Sequence, residues 1–241
     1  MTHDEARRRI VLAIDAASVR EAAPLVEQLA PHVGVLKVGL ELFTREGPAA
    51  VAWARALGLD VFLDLKLHDI PETVDRAVAA SCALGARYLT VHAQGGVGML
   101  ARAVERAERE GGGLSILAVT VLTSLDAGDL ARQGVDGAPA TYALRLARLA
   151  HEAGVRGFVS SAAEVAELRA AVGRDALLVT PGIRPSGAPV GDQKRVATPR
   201  DAIAAGADLL VIGRPLRDAA DPIATARAVA NDVAAGLEAR A

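Results

Sequence analysis

Residues 56–73 read ALGLDVFLDLKLHDIPET. The first two residues close a helical pattern, Gly58 follows, and VFLDL then enters an apolar strand. The same order of helix, glycine, two or three residues and strand returns as ALGARYLTVH around Gly85, EAGVRGFVSS around Gly154 and AAGADLLVIG around Gly206. After a helix, each glycine is expected in the left-handed conformation, which glycine adopts without the cost a Cβ imposes. The strands that follow are almost continuously apolar, as parallel strands covered on both faces must be.

Outward from this unit, strand candidates fall at 10–14, 33–38, 61–65, 88–91, 114–121, 157–159, 177–180 and 209–212. Eight strands starting between residues 10 and 209 repeat about every 28 residues, the size of a strand plus a crossover helix. An open doubly wound sheet gives the same alternation. The glycines at 95, 96 and 98 follow a strand but miss the third spacing of a dinucleotide fingerprint, so they read as a loop and helix start. The expectation is a closed (β/α)8 barrel, one domain over residues 1–241, because no composition break divides the chain.

Composition narrows the function classes. The 241 residues carry 27 basic and 29 acidic side chains, a net charge of −2, with 51% hydrophobic content. A nucleic-acid surface normally shows a basic excess, and six aromatic residues supply little for base stacking. High apolar content with low net charge excludes disorder as the dominant state. A single cysteine, Cys82, excludes an internal disulfide and reads as a small core residue in an Ala-rich helix. Arg7-Arg8-Arg9 leads into IVLAID, an apolar run too short for a signal core, and no uncharged stretch reaches the roughly 20 residues of a membrane span. A reducing cytoplasm is the expected compartment.

Side chains alternate faces along a strand. Phe62, Asp64 and Lys66 therefore share one face of 61–67, and Val61, Leu63 and Leu65 share the other. With the leucines against the helices, Asp64 and Lys66 point into the barrel. Asp15 ends the first strand on the face of Val11 and Ala13, and Lys37 ends the second on the face of Val35. Asp15, Lys37, Asp64 and Lys66 are thus expected to form a polar cap at the carboxyl ends of three adjacent strands. Unpaired buried charge is costly, so such a cluster is either a plug of ion pairs or an active site. Two connections, 122–140 and 181–200, exceed ordinary loop length and open on the same face. Gly213-Arg214 after the last strand, with Arg184, Gly187, Gly191 and Gln193 in the long seventh loop, suit a phosphate. His3 and His32 read as terminal or loop residues and His151 as solvated, whereas His68 and His92 follow strands and could line the mouth. No zinc spacing and no serine-nucleophile elbow occur.

DLKLHDIPET at 64–73 resembles the DxKxxDIPxT signature of the orotidine 5′-phosphate decarboxylase family. LAID at 12–15, LKVG at 36–39, VLTS at 121–124, TPGIRP at 180–185, GDQKRVATP at 191–199 and VIGRP at 211–215 follow in the order of its bacterial members. Leu67 and Glu72 depart from the Phe and Asn that other members often carry. The resemblance implies a homodimeric (β/α)8 barrel that converts orotidine 5′-monophosphate to UMP and CO2 in pyrimidine biosynthesis, with neither metal nor organic cofactor. It implies that Lys66 protonates C6, with Asp64 beside the substrate carboxylate. Lys37 and Asp69 complete an alternating Lys–Asp–Lys–Asp array, and Asp69, Ile70 and Thr73 cross the dimer interface. Asp15 and Lys37 hold the ribose hydroxyls, Thr123 contacts the pyrimidine region, and Arg184, Gln193, Gly213 and Arg214 bind phosphate.

Two other readings remain open at this point. One is a Mg2+-dependent sugar-phosphate decarboxylase or aldolase of the same superfamily, such as 3-keto-L-gulonate 6-phosphate decarboxylase or hexulose phosphate synthase. Such enzymes use an acidic residue at the second strand end, where Lys37 stands here. The other is a catalytically silent phosphate-binding barrel, which needs no Asp64–Lys66 pair.

Overall fold

The computed structural model describes residues 3–185 and 197–240. Eight parallel strands close in sequence order: β1 (Ile10–Ile14), β2 (Val35–Gly39), β3 (Asp60–Leu67), β4 (Tyr88–His92), β5 (Ser115–Val119), β6 (Gly157–Val159), β7 (Leu177–Thr180) and β8 (Leu209–Ile212). The barrel shuts where Leu12 of β1 pairs with Ile212 of β8. Around it run α1 (His3–Arg7), α2 (Val19–Leu29), α3 (Leu40–Glu46), α4 (Pro48–Ala56), α5 (Pro71–Ala83) and α6 (Gly96–Glu110). They are followed by α7 (Ala127–Arg132), α8 (Pro139–Glu152), α9 (Val165–Val172), α10 (Pro199–Ala204), α11 (Arg214–Arg217) and α12 (Pro222–Arg240). Gly58, Gly85, Gly154 and Gly206 all have positive φ, so the repeated helix–glycine–strand signature is built as its sequence requires.

The alternation of side chains divides the core in two. Val11, Ala13, Val35, Phe62, Leu117, Val179, Leu209 and Val211 pack inside the barrel. Their chain neighbours, among them Leu12, Leu36, Val61 and Leu63, pack against the helices in a larger outer shell. The inner cluster fills the lower barrel, and the charged side chains above it in β2 and β3 have nowhere to go but the mouth.

Some boundaries differ from expectation. β2 begins at Val35, two residues later than expected, and Gly34 before it lies close against another segment: a Cβ there would lie 2.6 Å from Arg8 Cα. The long connection 122–140 contains α7, started by a capping box in which Asp126 and Asp129 exchange side-chain and main-chain hydrogen bonds. Behind the β3–α5 loop, the buried Asp75 of α5 is gripped by Arg106 of α6, and Glu72 bonds Arg76 and Arg102. The start of α5 is thereby fixed against its neighbour.

Candidate active site at the barrel mouth

The site begins with an irregularity in β3. Leu63 pairs with Leu89 of β4, but the next pair is Leu67 with Val91, so Asp64, Leu65 and Lys66 stand opposite Thr90 alone. Lys66 sits at φ +51 and is the one non-glycine residue with positive φ among the described residues. That conformation costs a side-chain-bearing residue roughly 1–2 kcal/mol, and such strain concentrates at functional sites. The bulge brings both charges to the same place. Lys66 Nζ donates to Asp64 Oδ1 at 2.7 Å, and Lys37 Nζ lies 3.2 Å from Asp64 Oδ2.

These three side chains line a cavity of about 220 Å³ with Thr123, Ser160 and Pro181. Phe62 and Val211 form part of its apolar wall. Asp64 and Lys37 are mostly buried, and Lys66 is somewhat more open. Burial pushes the Asp64 carboxyl up, but the charges and hydrogen bonds of Lys37 and Lys66 more than offset this and hold it below the usual carboxylate value. An ionised carboxylate is thus clamped between two ammonium groups. The hydroxyl of Ser160 is buried and has no hydrogen-bond partner among the described residues.

The remaining expected site residues are more dispersed. Asp15 lies at the same end of the barrel, but its side chain is 65% exposed and faces Arg217 of α11 at 3.8 Å. The expected four-charge cap is therefore a three-charge cluster with Asp15 outside it, since β1 ends at Ile14 and strand alternation no longer sets the direction of Asp15. Asp69 is exposed and accepts the Ile70 main-chain N–H at 2.7 Å. Ile70 is 66% exposed, and Thr73 is exposed on the first turn of α5. Arg184 follows β7 and its guanidinium donates to the Ile183 carbonyl. Gly213 and Arg214 open α11 after β8. Gln193, Gly187 and Gly191 lie outside the described residues.

His68 and His92 face each other with ring centroids 5.5 Å apart, beside a second cleft that includes Gln94, Thr120 and Gln133. Burial, then the proximity of His68 and Lys66, pushes the His92 imidazole down, against a smaller upward pull from Asp64. His151, expected in solvent, is half-buried and stacks on Phe158. Cys82 packs partly buried against the outer shell, and burial pushes its thiol up, away from thiolate reactivity. Among the described residues, no group of three or more His, Cys, Asp or Glu side chains could hold a metal ion, and no helix is long and apolar enough to cross a membrane.

Residues 8–229 match the model of the orotidine 5′-phosphate decarboxylase / HUMPS family. The chain belongs to this family. An orotidine 5′-phosphate decarboxylase of Anaeromyxobacter dehalogenans is 58% identical over 222 residues, covering 92% of this chain and 96% of that protein. One from Trichlorobacter lovleyi is 45% identical over 241 residues, covering 99% of this chain and all of its own. The crystal structure of orotidine 5′-phosphate decarboxylase from Lactobacillus acidophilus superposes with a TM-score of 0.82 at 35% identity, covering 94% of this chain and 99% of that one.

Within this decarboxylase-family barrel, Thr90, Gly39 and Arg217 bear on the site without standing among the expected site residues, and Ser160, the strand-end residue after β6, lines the cavity. Thr90 was legible in principle: Tyr88 packs with the inner cluster, so the alternation that singled out Asp64 also turns Thr90 inward. Gly39 pairs with Asp64 across the β2–β3 ladder, and the Lys37 ammonium passes 3.1 Å from where its Cβ would sit. Arg217 carries no sequence signal, since its link to Asp15 joins the two ends of the chain.

Proposed function

We propose that this protein is an orotidine 5′-phosphate decarboxylase, acting as one barrel domain in pyrimidine biosynthesis without a metal or organic cofactor. The observation that carries the reading is the Lys37–Asp64–Lys66 cluster in a cavity sized for part of a nucleotide. A cation at the end of β2 repels a divalent metal and so disfavours the Mg2+-dependent reading. The cluster also disfavours a silent phosphate barrel, which has no use for a carboxylate held between two ammonium groups.

The chemistry follows from the charges. The substrate carboxylate is placed beside Asp64, where two negative charges repel. As the C6–carboxyl bond breaks, its electron pair stays on C6 and CO2 departs. The Lys66 ammonium faces that developing charge, gives one proton to C6, and is reprotonated from solvent. Fixed charges aimed at the place where charge develops are usually the largest catalytic contribution. Lys37 and Asp15 hold the ribose hydroxyls, and Thr123 meets the pyrimidine. Arg184, Gln193, Gly213 and Arg214 take the phosphate, whose binding energy closes the site.

Asp69, Ile70 and Thr73 serve a second copy of the chain. Support comes from Ile70, whose large apolar side chain stands in water at the mouth beside Asp69, and from the exposed Leu40, Val97 and Leu122 on strand-following segments of the same face. In that homodimer Asp69 completes the partner's Lys–Asp–Lys array. The cytoplasm is the compartment proposed, consistent with one cysteine and no disulfide.

The test is the loss of orotidine 5′-monophosphate absorbance with purified protein in the presence of EDTA. Turnover that survives the chelator is expected. Turnover of a sugar phosphate that depends on Mg2+, or none of orotidine 5′-monophosphate, would overturn the reading.

A further inference from the structure

We propose that Thr90 is a positioning residue for decarboxylation, its single hydroxyl locking the Lys66 main chain to the Asp64 carboxylate. The inference rests on the function proposed above. Thr90 is fully buried in β4, opposite the three-residue bulge of β3. At such a bulge the regular ladder is interrupted, and the N–H of Lys66 needs another acceptor. It finds the Thr90 hydroxyl at 2.9 Å.

A hydroxyl has one proton to give. Thr90 Oγ1 lies 3.0 Å from Asp64 Oδ1 and 3.5 Å from the Leu63 carbonyl, so the proton goes to the carboxylate. Asp64 Oδ1 also receives the Lys66 ammonium at 2.7 Å. The bonds therefore close a ring. The main-chain N–H of Lys66 reaches Thr90, Thr90 reaches Asp64, and Asp64 reaches the other end of Lys66. Both ends of the proton donor are thus indexed to one carboxylate. A residue held at φ +51 keeps that conformation only when its surroundings over-determine it, and this ring is the local determinant.

Valine matches threonine in shape and lacks only the hydroxyl, so Thr90→Val is the decisive variant and Thr90→Ser the rescue. Turnover by wild type is established first; its failure would count against the proposed function and not against Thr90. Given turnover, Thr90→Val is expected to lower kcat about tenfold or more, since small displacements of a reacting group are costly, while KM moves less than about twofold. The acid limb of its kcat profile shifts to higher pH, because the ionised Asp64 has lost a donor. Thr90→Ser returns kcat to within about threefold of wild type. Wild-type kcat and pH profile in Thr90→Val overturn the inference. So does a folded Thr90→Ser that is as slow as Thr90→Val. If Thr90→Val does not fold, judged by its circular-dichroism melt, Thr90→Ala takes its place under the same criteria.

Discussion

Asp64 and Asp208 are carboxylates of nearly equal burial, 14% and 16% exposed, at opposite ends of one barrel, and cations surround both. At the lower end Asp208, just before β8, meets Arg169, Arg240 and Arg9, and also accepts the Leu178 main-chain N–H at 2.8 Å. Its arginines are occupied elsewhere as well. Arg169 donates to the carbonyls of Gly206, Gly173, Arg174 and Ala176, and Arg240 to that of Ala207. Planar guanidinium forks are here used as staples, tying α9, α12, β7 and β8 together.

At the upper end the cations are lysines. Each ammonium has three donors, and each has Asp64 as its one hydrogen-bonding or ion-pair side-chain partner among the described residues. Spare donors and a strained backbone remain at the mouth, whereas at the base Arg169 spreads its donors over four main-chain carbonyls besides Asp208. The two clusters share their charge pattern and differ in what is left over for a ligand.

The largest expected effect tests this division directly. Lys66→Ala should lower turnover of orotidine 5′-monophosphate at least about a thousandfold, through loss of the proposed proton donor and its charge. Its melting temperature should move little, because Asp64 keeps Lys37. Arg169→Ala should do the reverse. Asp208 keeps Arg9 and Arg240, but the carbonyls of Gly206, Gly173, Arg174 and Ala176 lose a donor. At about 1 kcal/mol for each lost hydrogen bond this costs about 3–5 kcal/mol, hence a melting temperature lower by about 10 °C, with kcat of the folded enzyme unchanged. Thermal melts and steady-state kinetics on both variants decide the matter. A stable Arg169→Ala or an active Lys66→Ala would erase the distinction.

The two ends were not equally readable in the sequence. Lys37, Asp64 and Lys66 stood out because charge on the inner face of a strand contradicts burial, and strand period alone assigns the face. Asp208 lies beside a recurring glycine and looks like an ordinary loop carboxylate. Its partners come from residues 9, 169 and 240, and only closure of the barrel brings them together. Asp15 shows the limit of the period argument at the mouth. It lies on the right face by count, but the chain has left the strand by that residue. Thr90 is hidden for another reason. A threonine in an apolar strand is unremarkable until the bulge opposite it removes a main-chain acceptor, and a bulge does not show in hydrophobic pattern.

A third test uses pH. Asp64→Asn removes the carboxylate from between the two ammonium groups. In the wild type the carboxyl is held below its usual value, burial notwithstanding, by Lys37 and Lys66. A carboxyl lowered in the folded state adds stability in full above its ordinary value of about 3.9, and that contribution is lost as pH falls through the lowered folded value. The melting difference between wild type and Asp64→Asn should therefore hold steady from about pH 8 to 5 and change in the wild type's disfavour only below about pH 4. A difference that already collapses between pH 7 and 5 would mean that burial prevails over the lysines.

The smallest expected effect comes from two glycines, one beside each cluster. Gly206 has φ +118, and a Cβ there would meet Arg169 side-chain carbons at 3.3 Å. Gly206→Ala should therefore destabilise the fold by about 1 kcal/mol or more, without touching the mouth. Gly39 has φ −87, a backbone any residue adopts, so alanine brings no strain. Its added carbon would crowd only the Lys37 ammonium, at 3.1 Å, and a lysine end moves readily. The fold should be indifferent to Gly39→Ala. The ammonium, displaced from its 3.2 Å contact with Asp64, should not be, and kcat/KM should fall about three- to tenfold at an unchanged melting temperature. If Gly39→Ala instead lowered the melting temperature and left kcat/KM intact, the mouth cluster would be behaving like the base, as a staple rather than a site.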